Sequence, residues 1–546
     1  MLFTDNDFRR IFENRETEPW KSQIEMLAGE CSLYLDNPFP ESDRTRHNWT
    51  LERARDLLEI TVKLGVYYKL TNDDKYARRA VEFLLDSAGW ELWFYKTGVD
   101  DNSPFDLGTG ETAMAFAVVL PLVRGAMSDS EHIKCLEVMD RRVLTPFLEV
   151  TGPEDIKAWW HHGLNNWNCV CNGGQLAASV YMRGCGYEAE RADLAIGRAL
   201  EGMGVYFDAM HEDGSCEEGI AYWGYATKYF IMALLYWENA TGGRHPFFDT
   251  IKCARWLRFP FDFSSGNAAL SFGDCNYVFS CEMAYAYAAR VGDTEILEET
   301  AKRLGNEKSV WSLMFTRGSD GRPRKTGRGL VWYPDNGWAA FKTDGLVLSF
   351  RSGSTNVSHA MKDMHSVQLS RNGEQLLQNM ENHPYTVGWF GKSRDLYWEN
   401  NTGAKNSPLF NGIGQIRLAA ATFGLEGDRV VSECSCVYPD FMERVWRAVG
   451  FGCGCFFEIE DEFIAKQELC HELRFMSPGR FERISDREAR VTNNGQEAAL
   501  RFICDVDIDI WAGETFYSIP NKPAVGILRV YTEKMVMATR WKTVIL

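Results

Sequence analysis

The sequence predicts a chain in two parts, an N-terminal (α/α) toroid of helical hairpins followed by an antiparallel β-sandwich. Three observations carry that expectation. Up to about residue 304 apolar residues recur at spacings of three and four, beyond about residue 330 short apolar runs alternate with polar residues, and between them lies the polar segment TRGSDGRPRKTGRG. The boundary is set within that segment, giving domains 1–325 and 326–546.

Leu51, Ala54, Leu58, Thr61, Gly65 and Tyr68 share one helical face. The following TNDD, 71–74, supplies N-cap chemistry for a second helix, in which Ala77, Val81, Leu84, Leu85 and Ala88 line up. Comparable helical patterns run over 109–127, 130–148, 187–209, 220–240, 248–257 and 281–304. In the second half GLVLSFRSG, HSVQLSRNGEQLL, CFFEIEDEFI and EAALRFICDVDIDIWAG read as strands. Asn372-Gly373 and Asn494-Gly495 read as tight hairpin turns, because both central residues of such turns need positive φ.

Composition narrows the function. Apolar residues make up 45% and charged residues 25%, the balance of an ordinary globular protein. A net charge of −17 without a basic block excludes nucleic-acid binding, and an acidic ligand would need a local basic pocket within a repelling field. The 15 cysteines are scattered, with three Cys-x-Cys pairs and no Cys-x-x-Cys, which argues against a secreted disulfide scaffold. MLFTDNDFRRIFENRETEPW has no apolar run, and TAMAFAVVLPLV is too short to span a bilayer and contains Pro121. The chain is therefore expected in the cytoplasm, without membrane contact.

Three stretches carry candidate chemistry. WWHHGLNNWNCVCNGG, 159–174, combines two His, three Trp and four Asn, which suits a cleft lined by aromatic platforms and amide donors; helix capping is the plainer reading. EDGSCEEGIAYWGYATKYF, 212–230, enters a helix with Glu217, Glu218, Tyr222, Tyr225 and Tyr229, some of which would fill a core. HAMKDMH, 359–365, places His359, Asp363 and His365 close enough to suggest a metal site, yet offers too few ligands for zinc by itself. FGDC, 272–275, adds Asp274 as a cleft acid or loop cap.

NNWNCVCNGG, DGSCEEGIAYWGY, GWAAFKTDGLVLSFRSG and SHAMKDMHSVQLSRNGEQLLQN, in this order, resemble the heparinase II/III-like polysaccharide lyases over most of the chain. The resemblance implies the toroid and sandwich named above and cleavage of uronic-acid-containing glycans, glycosaminoglycan or alginate, by β-elimination. It implies a Tyr, a His and an Asn around the uronate, which map to Tyr222, His359 and Asn168 or Asn166. Zinc-binding members carry ligands at positions that here read Met361, Asn379 and Lys405, so no metal and no cofactor is expected.

On this basis Tyr222 is expected as the acid and His359 as the base, on either side of the sugar, with Asn168 or Asn166 neutralising the carboxylate. His162, Trp160, Trp167, Glu218, Arg351 and Tyr385 complete the expected substrate contacts. The expected partner is an acidic oligosaccharide, with a homodimer left open. Two rivals stand beside this reading: a glycoside hydrolase using carboxylates from Glu217, Glu218 and Asp274, and a carbohydrate-binding protein without catalysis.

Overall fold

The structure is a computed structural model, and it describes every residue except 45–47, 95–103, 153–154, 157, 267, 275–280, 305–308, 316–328, 344, 383–390, 392–393, 454–455 and 520. Most of the polar segment expected at the boundary, and Tyr385, lie outside the described residues. The chain divides into two compact units. Residues 1–210, 224–250 and 280–322 form the helical one, and residues 211–223, 251–279 and 323–546 the β-rich one. The stretches 211–223 and 251–279, expected with the helices, thus pack with the sheets.

The helical unit is a succession of hairpins. Trp49–Thr71, Leu107–Val123 and Asn166–Gly184 pack side by side, with Asp74–Ala88 and Ala189–Ala209 beside them. Val310–Phe315 returns onto the first helices, Asp5–Asn14 and Trp20–Asp36, bringing the two ends of the helical array together. The Asp73 carboxylate caps the second expected helix through the Lys75 N–H at 3.3 Å. The pattern over 281–304 is two helices, Glu282–Val291 and Thr294–Leu304, because Gly292 takes φ 78° and ends the first. Leu107–Val123 is buried on all sides except at Pro121, which accounts for its largely apolar sequence. The window Leu107–Ala126 is long and apolar enough to cross a membrane by composition, with 89% of it buried within the protein.

The β-rich unit is antiparallel. Five consecutive strands, Gly329–Tyr333, Trp338–Thr343, Leu346–Arg351, Val367–Arg371 and Glu374–Leu377, form a meander. An eight-stranded and a four-stranded sheet share one core with it, in which Phe341, Phe350, Phe410, Phe463 and Phe475 are buried together. Both expected hairpin turns form with positive φ: 51° and 89° at Asn372-Gly373, and 44° and 78° at Asn494-Gly495.

Candidate active site

Tyr222 sits in the first turn of the helix Ile220–Thr241, and its place is fixed by the backbone leading into it. Gly219 has φ 86°, and a Cβ there would lie 2.7 Å from the Phe272 carbonyl oxygen, so only glycine fits. The Ile220 N–H donates to Ser271 Oγ at 3.1 Å, and the Trp223 indole N–H to the Trp256 carbonyl at 2.8 Å. Asn336 Nδ2 donates to the Cys216 carbonyl at 2.9 Å, tying the same stretch to the meander.

HAMKDMH is a loop entering the strand Val367–Arg371, and its three metal-like side chains part company. Asp363 pairs with Arg351 and accepts the Gly273 N–H at 3.0 Å. His365 is fully buried with Nε2 2.9 Å from Ser432 Oγ. His359, at φ 59°, turns instead to Asp274, its Nδ1 donating to Asp274 Oδ2 at 2.9 Å. Among the described residues no three His, Cys, Asp or Glu side chains converge on a metal position.

The residues at the zinc-ligand positions of the resemblance do not suit zinc either. Asn379 Oδ1 accepts from Ser366 Oγ at 2.7 Å and from the Asn406 N–H at 2.9 Å, so its acceptor is already engaged. Lys405 is buried with Nζ donating to the Met380 carbonyl at 3.1 Å. Burial pushes its amine down to about 8, against the pull of the Asp363 and Asp274 carboxylates. An ammonium and an engaged amide leave a divalent ion without a ligand shell.

The imidazole of His359 and the phenol of Tyr222 stack, with ring centroids 3.5 Å apart and planes 18° from parallel. That spacing leaves no room for a sugar between the two faces, so the expectation of one group on either side of the substrate gives way to a pair presented together. The His359 side chain keeps 12% exposure, its Nε2 lies 3.7 Å from Glu218 Oε1, and Glu218 itself is buried. Arg394 grips Asp274 with both terminal nitrogens, at 3.2 and 2.8 Å. Burial disfavours the ionised Asp274, but the hydrogen bond from His359 and the Arg394 charge outweigh it and hold the carboxyl below its usual range.

Within the helical unit the Asn-rich stretch behaves differently from expectation. It is a short 3-10 turn, Trp159–His162, followed by the buried helix Asn166–Gly184. Asn168 has no exposure and donates Nδ2 to the His161 and Gly202 carbonyls at 2.9 and 2.8 Å, while its Oδ1 accepts from Asn172 at 3.1 Å. With its amide consumed inside the helix packing, Asn168 is a structural residue and not a ligand contact. Asn166, at the start of the helix, is buried at 3% exposure. His162 is exposed and stacked on the buried His161.

Trp160 is likewise buried, its indole N–H on the Phe105 carbonyl at 3.0 Å. The exposed indole is that of its neighbour Trp159, whose ring lies 5.0 Å from that of Trp167. Arg351 is also withdrawn, buried against Asp363 and the Ser354 carbonyl. Sequence reasoning passed over Arg394 and Trp159; the alternation of a 3-10 turn could have separated Trp159 from Trp160, whereas nothing local marks Arg394.

This arrangement sits on the fold of the polysaccharide lyases. A solved heparinase III matches with a TM-score of 0.67 and 15% identity, over 93% of this chain and 79% of its own. The heparan sulfate lyase HepC from Pedobacter heparinus matches at 0.59 and 12% identity, over 99% of this chain and 93% of its own. The chondroitin AC lyase of Streptomyces coelicolor A3 matches at 0.58 and 10%, over 99% and 82%. No protein-family model and no curated protein matches the sequence.

Proposed function

We propose that this chain is a polysaccharide lyase that cleaves beside a uronic acid of an acidic oligosaccharide by β-elimination. The observation that carries the reading is the Tyr222–His359 stack backed by the buried Asp274. With Nδ1 donating to Asp274, His359 offers the Nε2 lone pair as base for the C5 proton. The electrons left at C5 spread onto the carboxylate and then form the C4–C5 double bond as the C4–oxygen bond breaks. The Tyr222 hydroxyl delivers a proton to the departing oxygen.

Charge gathering on the uronate carboxylate needs hydrogen-bond donors or a cation beside it. Within the helical unit the Trp159 and Trp167 rings lie 5.0 Å apart, an aromatic surface of the kind on which sugar rings stack. The hydrolase rival needs a carboxylic acid to protonate the leaving oxygen, and Asp274, ionised under Arg394, is unsuited to that role.

Because the two rings stack, base and acid reach the sugar from one face. Removal of the C5 hydrogen and the C4 oxygen from one face requires the two to be cis, as in glucuronate and mannuronate, and not in iduronate or guluronate. The test offers matched oligosaccharides that differ only at C5 and follows the ultraviolet absorbance of the new double bond. Absorbance rising with the glucuronate or mannuronate member alone is expected. Equal turnover of both members would end the one-face reading, and bond cleavage without absorbance would end the lyase reading.

A further inference from the structure

Asp274 and Arg394 neither give nor take the proton in the transfer just described, yet they frame its base. The Asp274 carboxylate is wholly buried, accepts His359 Nδ1 at 2.9 Å, and is forked by Arg394 at 2.8 and 3.2 Å. The backbone repeats the link, since the Asp274 N–H donates to the His359 carbonyl at 2.9 Å. A Cβ on Gly273 would stand 2.8 Å from that same carbonyl oxygen, so the two backbone segments touch without an intervening side chain. Arg394 closes the frame by donating Nη2 to the Ala360 carbonyl at 2.8 Å, and Asn400 Nδ2 holds the Arg394 carbonyl at 2.9 Å.

We propose that Asp274 is a positioning residue: pinned by Arg394, its carboxylate holds His359 in the tautomer protonated at Nδ1 and unprotonated at Nε2, and it stabilises the imidazolium that results. The proposal rests on the lyase reading for its kinetic consequence, but not for the tautomer. The C5 proton goes to Nε2, the Nδ1 proton stays on His359, and Asp274 remains ionised because the guanidinium covers both of its oxygens. Tyr222 is stacked on the same ring, and Glu218 lies 3.7 Å from Nε2. Glu218 draws the imidazolium toward itself; Asp274 sets which nitrogen is unprotonated beforehand.

The test is nitrogen NMR of the full-length chain with labelled histidine, comparing the wild type with Asp274→Asn and Arg394→Gln. The wild type is expected to show His359 protonated at Nδ1. Asp274→Asn replaces an acceptor by an amide able to donate, and should move the resonance toward the other tautomer. With a glucuronate oligosaccharide, kcat should fall at least a hundredfold in Asp274→Asn while KM changes less than threefold. Arg394→Gln, at a partly exposed position, should shift the pH profile with a smaller loss. A wild-type ring protonated at Nε2, or an Asp274→Asn protein with unchanged tautomer and pH profile, overturns the proposal. Absence of turnover by the wild type on every uronate tested would refute the lyase reading alone, since the NMR comparison still decides the tautomer.

Discussion

Tyr222 and His359 meet because two backbones take conformations few side chains tolerate, φ 86° at Gly219 and 59° at His359. Tyr222→Phe keeps the ring and removes only the hydroxyl, so substrate binding measured by calorimetry should stay within about threefold while turnover falls roughly 10²–10⁴-fold. Asn168→Ala removes two hydrogen bonds to the His161 and Gly202 carbonyls and the acceptor of Asn172, and chemical denaturation should show a loss of about 1–3 kcal/mol. The sequence placed Tyr222, His359 and Glu218 in one neighbourhood through their motifs. It could not place Asn168, Trp160 or Arg351, because each is withdrawn by a partner distant in sequence: Gly202, Phe105 and Asp363.

The helical array depends on close approach between the helices Leu107–Val123 and Asn166–Gly184. Gly110 and Gly174 face one another there, and a Cβ on Gly174 would overlap the Gly110 carbonyl. Gly174→Ala should therefore destabilise the chain by about 1–3 kcal/mol in denaturant titration, whereas Gly184→Ala, with open space around it, should not. Helix periodicity and the two Asn-Gly turns were legible because local spacing and positive φ dictate them. Asn168 was less legible, since amides that bond one another inside a core, as Asn168 and Asn172 do, look in sequence like amides awaiting a ligand.

On the scale of the whole molecule, the order of helices then sheets was readable from period alone, but the assignment of 211–223 and 251–279 to the β-rich unit was not. Those segments are helical or irregular locally and are captured by tertiary contacts, as the bonds from Asn336 to the Cys216 carbonyl and from Gln375 to the Ala269 carbonyl illustrate. Burial of Lys405 makes a global prediction. Its folded value of about 8 lies below that of an unfolded lysine, so between these values the unfolded chain binds the extra proton and stability gains as pH rises. Relative to Lys405→Met, the wild type should gain about 1 kcal/mol between pH 8 and pH 9, the folded lysine being half-charged at the lower value, measured by denaturant unfolding at both.

The central claim is elimination at a uronate by the stacked tyrosine and histidine. Digestion of a glucuronate oligosaccharide in water enriched in heavy oxygen, followed by mass spectrometry of the new ends, tests it most directly. The account predicts unsaturated ends, one water lighter than hydrolysis would leave, and no heavy oxygen in either product. Saturated ends carrying heavy oxygen would contradict it.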